Sequence, residues 1–363
     1  MRLWITRTLA LIRKEMLALL KDPSSRTLLF APALMQALLF GYGATYDLTN
    51  APFAVLDQSR SAESREILAR IEGTGVFRRI ATLENSSQIA GQIDSGAALL
   101  VLSFPADFAD QLTAGRAAPV QVILDGRNSA TAGVAAAQVS AIVAAYDQRP
   151  PVTVVRRAWF NPNYESRWNL MPAMIASLSM LQTLMLAALS VAREREQGTF
   201  DQLLVTPLTP TQILIGKALP AIIVGLVQST IIFLIILLWF QIPMAGSVWL
   251  LYLGLLVFTT ASVGIGLSIS AVSLTMQQAM LYTFMLIMPL ILLSGLLTPV
   301  RNMPWVLQMA TWVNPLRFGI DTVRRVYLEG ATLADVAPNF LPLLAVAAVT
   351  LPLSARLFRN RLS

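Results

Sequence analysis

The sequence predicts an all-α polytopic membrane protein of six transmembrane helices, with an α/β domain inserted after the first. Three observations carry this. Apolar residues make up 55% of the chain and charged residues 13%, with a mean hydropathy of +0.62; soluble domains carry about 25% charged residues. Six apolar runs approach or exceed the ~20 residues that cross a bilayer as a helix. Residues 48–165 break this pattern with short runs that alternate between strand and helix character.

Composition also excludes chemistry. The net charge of +7 could suit nucleic acid, but the basic residues concentrate at the flanks of the apolar runs, the positive-inside pattern of a membrane protein. No nucleic-acid partner is expected. The chain has no cysteine and no histidine, so disulfides, thiol chemistry, the usual zinc sites and Ser-His dyads are excluded. No metal site and no catalytic residue is predicted. No G-x-x-x-x-G-K-[ST] occurs either, so the chain cannot cradle a nucleotide by the P-loop mechanism.

Residues 1–25 are basic and amphipathic, with Arg2, Arg7, Arg13, Lys14 and Lys21 among Leu3, Trp4, Leu11, Leu17 and Leu20. Such a segment predicts a helix along the membrane face, its cations near anionic headgroups. Asp22-Pro23-Ser24 separates it from the first span, 26–47, which is too long for a signal-peptide core.

The 48–165 segment reads as strands FAVLD, FRRIAT, ALLVLSF, PVQVILDG and VTVVRRAW, with helices between and a long Ala-rich helix at 128–147. That alternation predicts an open domain with a largely parallel sheet. Asp125-Gly126 stands where a ligand loop could lie, although a plain turn is the simpler reading.

The remaining spans are 168–192, 212–240, 248–271, 278–297 and 338–357, the last followed by basic Arg356, Arg359 and Arg361. Ser262, Gly266 and Ser270 form a small-residue seam on the fourth. Lys217, near the end of the third, is expected to snorkel to the interface. Between the fifth and sixth spans, 299–336 reads as a helical hairpin. Trp305 is a candidate interface anchor, Asn314-Pro315 starts the second helix, and Leu316, Ile320 and Tyr327 share its apolar face. Arg317, Arg324 and Arg325 argue against an outer location on the charge rule, and the basic termini argue for it.

Arg193 to Pro220 organises the rest. Gly198 can turn the chain after span two because it lacks a Cβ. Thr199 and Gln202 have capping-box spacing, predicting a short helix FDQLLV that Pro207 stops. Thr209, Pro210 and Gln212 give a second start. The stretch EREQGTFDQLLVTP resembles the E-x-G-T-x-[DE]-x-L-[LM]-x-[ST]-P signature of ATP-binding-cassette exporter permeases of the second type, matching at Glu196, Gly198, Thr199, Asp201, Leu203, Leu204, Thr206 and Pro207. Asn314-Pro315-Leu316 and Leu328-Glu329-Gly330 add a second, weaker match.

The resemblance implies a permease subunit of an exporter in a bacterial inner membrane, both termini cytoplasmic and 48–165 periplasmic. ATP and Mg2+ would sit on a separate cytoplasmic ATPase, with no cofactor on this chain. The coupling helix at 193–210 would rest on that ATPase, using Arg193, Glu194, Glu196, Gly198, Thr199, Phe200, Asp201, Leu203, Leu204 and Pro207. A second permease subunit, identical or a sister, is implied. The large outer domain resembles the subgroup that works with a periplasmic adaptor and an outer-membrane channel. Candidates for a substrate path are Gln36, Ser179, Gln182, Thr183, Met280 and Ser294; interhelical hydrogen bonding and packing are the alternative roles. Two rival functions stand beside this one: a membrane-anchored periplasmic ligand sensor, which would need a cytoplasmic output module, and a polytopic lipid-modifying enzyme, which would need clustered acids or bases.

Overall fold

The computed structural model describes residues 2–21, 23–43, 50–116, 118–125, 129–147, 166–199, 206 and 208–360. The chain divides into two compact units, one of 1–44 with 159–363 and one of 45–158.

The second unit is an α/β fold. Strands β1 (Ala51–Asp57), β2 (Phe77–Leu83), β3 (Leu100–Phe104) and β4 (Gln121–Leu124) form one sheet in the order β2-β1-β3-β4. The first two pairings are parallel and β3–β4 is antiparallel, so the sheet is mixed, with a parallel centre. Helices α3 (Ala62–Glu72), α4 (Ser87–Asp94), α5 (Phe108–Thr113) and α6 (Ser129–Asp147) complete the unit. β1 alternates its side chains between two cores, as the two-residue period of a strand requires. Phe53 and Val55 pack with Ile67, Ile71, Leu102 and Val139, whereas Ala54 and Leu56 pack with Val101, Ile89 and Ile93. A sheet buried on both faces explains the nearly continuous apolar run of β1. Ser61 caps α3, its hydroxyl accepting from the Ser64 amide at 3.1 Å. Asp125 follows β4 and donates its amide to the Leu99 carbonyl at 2.9 Å. The expected strand at 152–159 lies outside the described residues.

The first unit is helical: α1 (Arg2–Lys21), α2 (Pro23–Gly43), α7 (Ser166–Glu196), α8 (Pro210–Leu234), α9 (Val248–Val272), α10 (Met276–Leu292), α11 (Trp305–Ala310), α12 (Pro315–Glu329) and α13 (Leu333–Asn360). α8 ends in a wider π-type turn, Ile235–Trp239. Among the described residues, four helices are long and apolar enough to cross a membrane: 167–196, 210–239, 248–272 and 333–358. α2 has 21 residues and contains Pro32. α10 is apolar but has only 17 residues, because Pro289 lies near its end and Gly295 turns the chain at φ +82°. The molecule is therefore mostly helical, with four to six apolar helices and one small mixed-sheet domain.

α7 is the central helix, buried along most of its length, while α13 is exposed along most of its own. α9 packs against both. At Gly266 a Cβ would come within 2.7 Å of the Leu184 carbonyl on α7, so the small-residue seam does set the α7–α9 approach. α12 packs on α7, α9 and α13.

Candidate coupling site and transport path

α7 ends in a Schellman turn. Gly198 adopts φ +67°, its amide donates to the Arg195 carbonyl at 3.0 Å, and the Thr199 amide donates to the Glu194 carbonyl at 2.9 Å. Glycine is favoured here because a Cβ in the left-handed region costs about 1–2 kcal/mol. α8 starts with the capping box read from the sequence. Thr209 Oγ1 accepts from the Gln212 amide at 3.4 Å, and Gln212 Oε1 accepts from the Thr209 amide at 2.8 Å. Thr199 also donates its hydroxyl to the Glu194 carbonyl at 3.3 Å. Phe200, Asp201, Leu203, Leu204 and Pro207, with the short helix expected there, lie outside the described residues.

The charges before this turn bind within the protein. Arg195 Nη1 donates to the carbonyls of Ala271 (3.0 Å) and Ser273 (2.7 Å), at the end of α9. Glu196 Oε2 accepts the Met276 amide at 2.7 Å, at the start of α10. Neighbouring residues on α7 thus hold both sides of the α9–α10 break. Ser270 Oγ reinforces the joint by accepting from the Val191 and Ala192 amides at 3.0 and 3.3 Å.

Glu194 faces the other way, into a four-residue ion cluster. Lys14 on α1 lies 2.8 Å from Glu194 Oε1, and Lys217 on α8 lies 2.7 Å from Oε2. Glu15 lies 3.3 Å from Lys14 and 3.4 Å from Lys217, and Lys217 also reaches Ser190 Oγ at 3.4 Å. Burial alone pushes the Lys14 ammonium down, but its bonds to Glu194 and Glu15 outweigh this and hold it above the ordinary lysine value. The side chain of Lys217 is 0% exposed. It does not snorkel as expected, because two carboxylates meet it inside the protein. Arg193, beside the cluster, is half-buried.

The docking of α1 was not apparent from sequence. α1 packs on α8, with Gln212 Nε2 donating to the Trp4 carbonyl at 3.1 Å. Leu11 sits so close to Gly216 that a Cβ there would fall 2.3 Å from it. The signal was Gly216 itself, a glycine early in an apolar run where two helices need close approach.

The path candidates fall in different settings. Ser179 is fully buried and donates to the Ala176 carbonyl at 3.1 Å, and Ser294 donates to the Ile291 carbonyl at 2.6 Å. Both hydroxyls are occupied by their own backbone. Gln182 is buried on α7. Thr183 Oγ1 and Gln36 Oε1 are buried with no hydrogen-bond partner among the described residues. Met280 packs beside Leu189, Ala192 and Ala279. Among the described residues, three cavities take in Ser294 and none of the other five.

The hairpin residues sit about 38 Å from the ion cluster along α7, taking 1.5 Å per residue from Asn169 to Glu194. Asn314 caps α12, accepting from the Leu316 amide at 3.0 Å and donating to the Leu290 carbonyl at 2.8 Å. Pro315, Leu316, Ile320 and Tyr327 are buried, and Tyr327 Oη donates to the Ile242 carbonyl at 2.8 Å. Trp305 is 74% exposed. The arginines that spoke against an outer location are engaged. Arg324 donates to the carbonyls of Asn169 and Gly295 at 3.2 and 3.3 Å, and Arg325 to Asp335 O at 2.8 Å. Arg317 stacks on Trp312, 5.1 Å from the ring centroid. Burial pushes the Arg324 guanidinium below its ordinary value, with Asp321 opposing.

A family model described as "ABC-2 family transporter protein" matches residues 24–356. The chain belongs to the ABC-2 transporter family. This permease is 42% identical over 368 residues to the probable multidrug ABC transporter permease YbhR of Escherichia coli K12, covering 99% of each chain. It is 27% identical to the probable multidrug ABC transporter permease YbhS of the same organism, over 98% of this chain and 97% of that one. The inner membrane transport permease YhhJ is 26% identical, over 96% and 95%. The protein is thus a permease subunit of an ABC exporter, a role that implies an ATPase partner and no catalytic site on this chain. The sensor and lipid-modifying readings fall with it.

Proposed function

We propose that this permease moves structurally varied, amphipathic small molecules out across a bacterial inner membrane. Full-length similarity to two probable multidrug permeases and one inner membrane permease supports this. A sister permease is the favoured second subunit, since two homologous permeases of one organism resemble the chain to different degrees. In this reading α2, α10 and the four longer helices all span, the termini are cytoplasmic, and 48–165 is periplasmic. An adaptor and an outer-membrane channel would meet that domain. The buried, unpartnered Thr183 hydroxyl supports a polar stop on the path, since such groups call for a ligand or water.

The observation that carries the coupling reading is the pair of built helix ends at Gly198 and Thr209. Between them runs 199–208, the segment in which the sequence predicts the coupling helix. The ATPase, carrying ATP and Mg2+, would press there. Phe200, Leu203 and Leu204 would fill its pocket. A buried Leu contributes about 1.5–3 kcal/mol, so Leu203→Ala with Leu204→Ala should weaken ATPase binding about a hundredfold. Pull-down of the ATPase and substrate-stimulated ATP hydrolysis in membranes test this. Wild-type binding and coupling in the double variant would remove this segment as the docking element.

A further inference from the structure

A cavity of about 650 Å3 lies between α1, α7 and α8 beside the ion cluster. Its size is that of a small-molecule site. Its lining changes character along its length. At one end stand Lys14, Glu15, Glu194 and Lys217. One to two turns further along the same helices, Leu19, Leu186, Pro220 and Ala221 line it instead, and Leu19 and Leu186 pack there against Val224. Lys14 and Lys217 are already balanced by the two glutamates. Arg193 also lines the cavity, a positive charge outside that balance among the described lining residues, above an apolar floor.

We propose that this cavity binds an anionic amphiphile, its phosphate-type head at Arg193 and its hydrocarbon body along Leu186 and Leu19. A cationic amphiphile does not fit, because each carboxylate in the wall already faces two lysines at 2.7 to 3.4 Å. A fully apolar guest would leave the arginine end facing hydrocarbon, which is unfavourable for a charge. Two sources share this chemistry: a resident membrane phospholipid, and an amphiphilic anion collected for export.

The test needs no ATPase, so its failure is separate from failure of the coupling reading. The purified full-length permease is delipidated in detergent, offered phosphatidylglycerol or phosphatidylcholine, and examined by native mass spectrometry. Wild type should retain phosphatidylglycerol at least tenfold more strongly than phosphatidylcholine. Arg193→Gln should reduce phosphatidylglycerol retention about tenfold, as expected for one charged hydrogen bond. Ala18→Phe, which adds a ring to an exposed residue of the lining, should block retention without touching a charge. Equal retention of both lipids by wild type overturns the proposal, as does undiminished retention in both variants. Vesicles holding the complete transporter and acyl-labelled phosphatidylglycerol then separate the sources. ATP-driven movement of the label to the far leaflet marks exported cargo, and tight retention without movement marks a resident lipid.

Discussion

Lys217 carries its charge in a protein interior, near the start of an apolar helix, because Glu194 and Glu15 come to it from two other helices. Removing one partner of a buried ion pair costs about 3–5 kcal/mol, since the other charge stays buried. Lys217→Met should therefore lower the thermal transition of the purified protein markedly. Lys217→Met with Glu194→Leu should recover most of the loss, leaving Lys14 paired with Glu15. A single variant as stable as wild type would show that the cluster does not hold these helices. Gly198 is a cleaner position, because a Cβ there has open space around it and only the backbone objects. Gly198→Ala should cost about 1–2 kcal/mol in the turn, and the β-branched Gly198→Val more. Both should loosen ATP hydrolysis from transport while leaving membrane insertion intact. The turn was readable in the sequence because glycine after a charged helix end has few meanings. The cluster was not, since Lys14 and Glu194 are 180 positions apart and nothing local tells a snorkelling lysine from a caged one.

At the scale of elements, α12 repeats the contrast. Its amphipathic stripe and its Asn-Pro start announced a helix with a buried face, and Leu316, Ile320 and Tyr327 are on that face. What covers the face came only with the structure: α7, α9 and α13 rather than lipid alone. Ile320→Asp should abolish expression or assembly, since an unpaired charge in an apolar contact costs several kcal/mol. Ile320→Val, a loss of one methylene, should cost about 0.5–1.5 kcal/mol and leave transport near normal. Equal transport by the two variants would mean the packing of α12 is dispensable. α1 shows the limit of the same logic. An amphipathic basic helix suits a headgroup layer and a protein groove alike, and its hydrophobic stripe does not say which. The mixed sheet was legible as an α/β alternation, but the strand order and the antiparallel edge were not, because pairing partners are set by contacts far apart in sequence.

For the whole molecule, the sidedness of 48–165 is the expectation with the widest consequences. The chain lacks cysteine, so one introduced thiol reports one position. Leu100 is a poor choice because β3 buries it completely, whereas Ala90 on α4 is exposed. Ala90→Cys should react with an impermeant maleimide once the outer membrane is opened. Reaction only after the inner membrane is broken would invert the proposed topology. The same approach at α2 and α10 counts the spans, which helix length alone leaves at four to six.

The clasp at Arg195 and Glu196 has a mechanical meaning. Three helix ends bolted at one joint cannot tilt independently, so α10 becomes a rigid arm pivoting where α7 stops. Its 17 residues make an arm of about 26 Å at 1.5 Å per residue. A swing of about 5° at that pivot carries the far tip roughly 2 Å, about half the width of a methyl group. A gate that narrow at the tip would be worked by a motion too small to notice at the hinge.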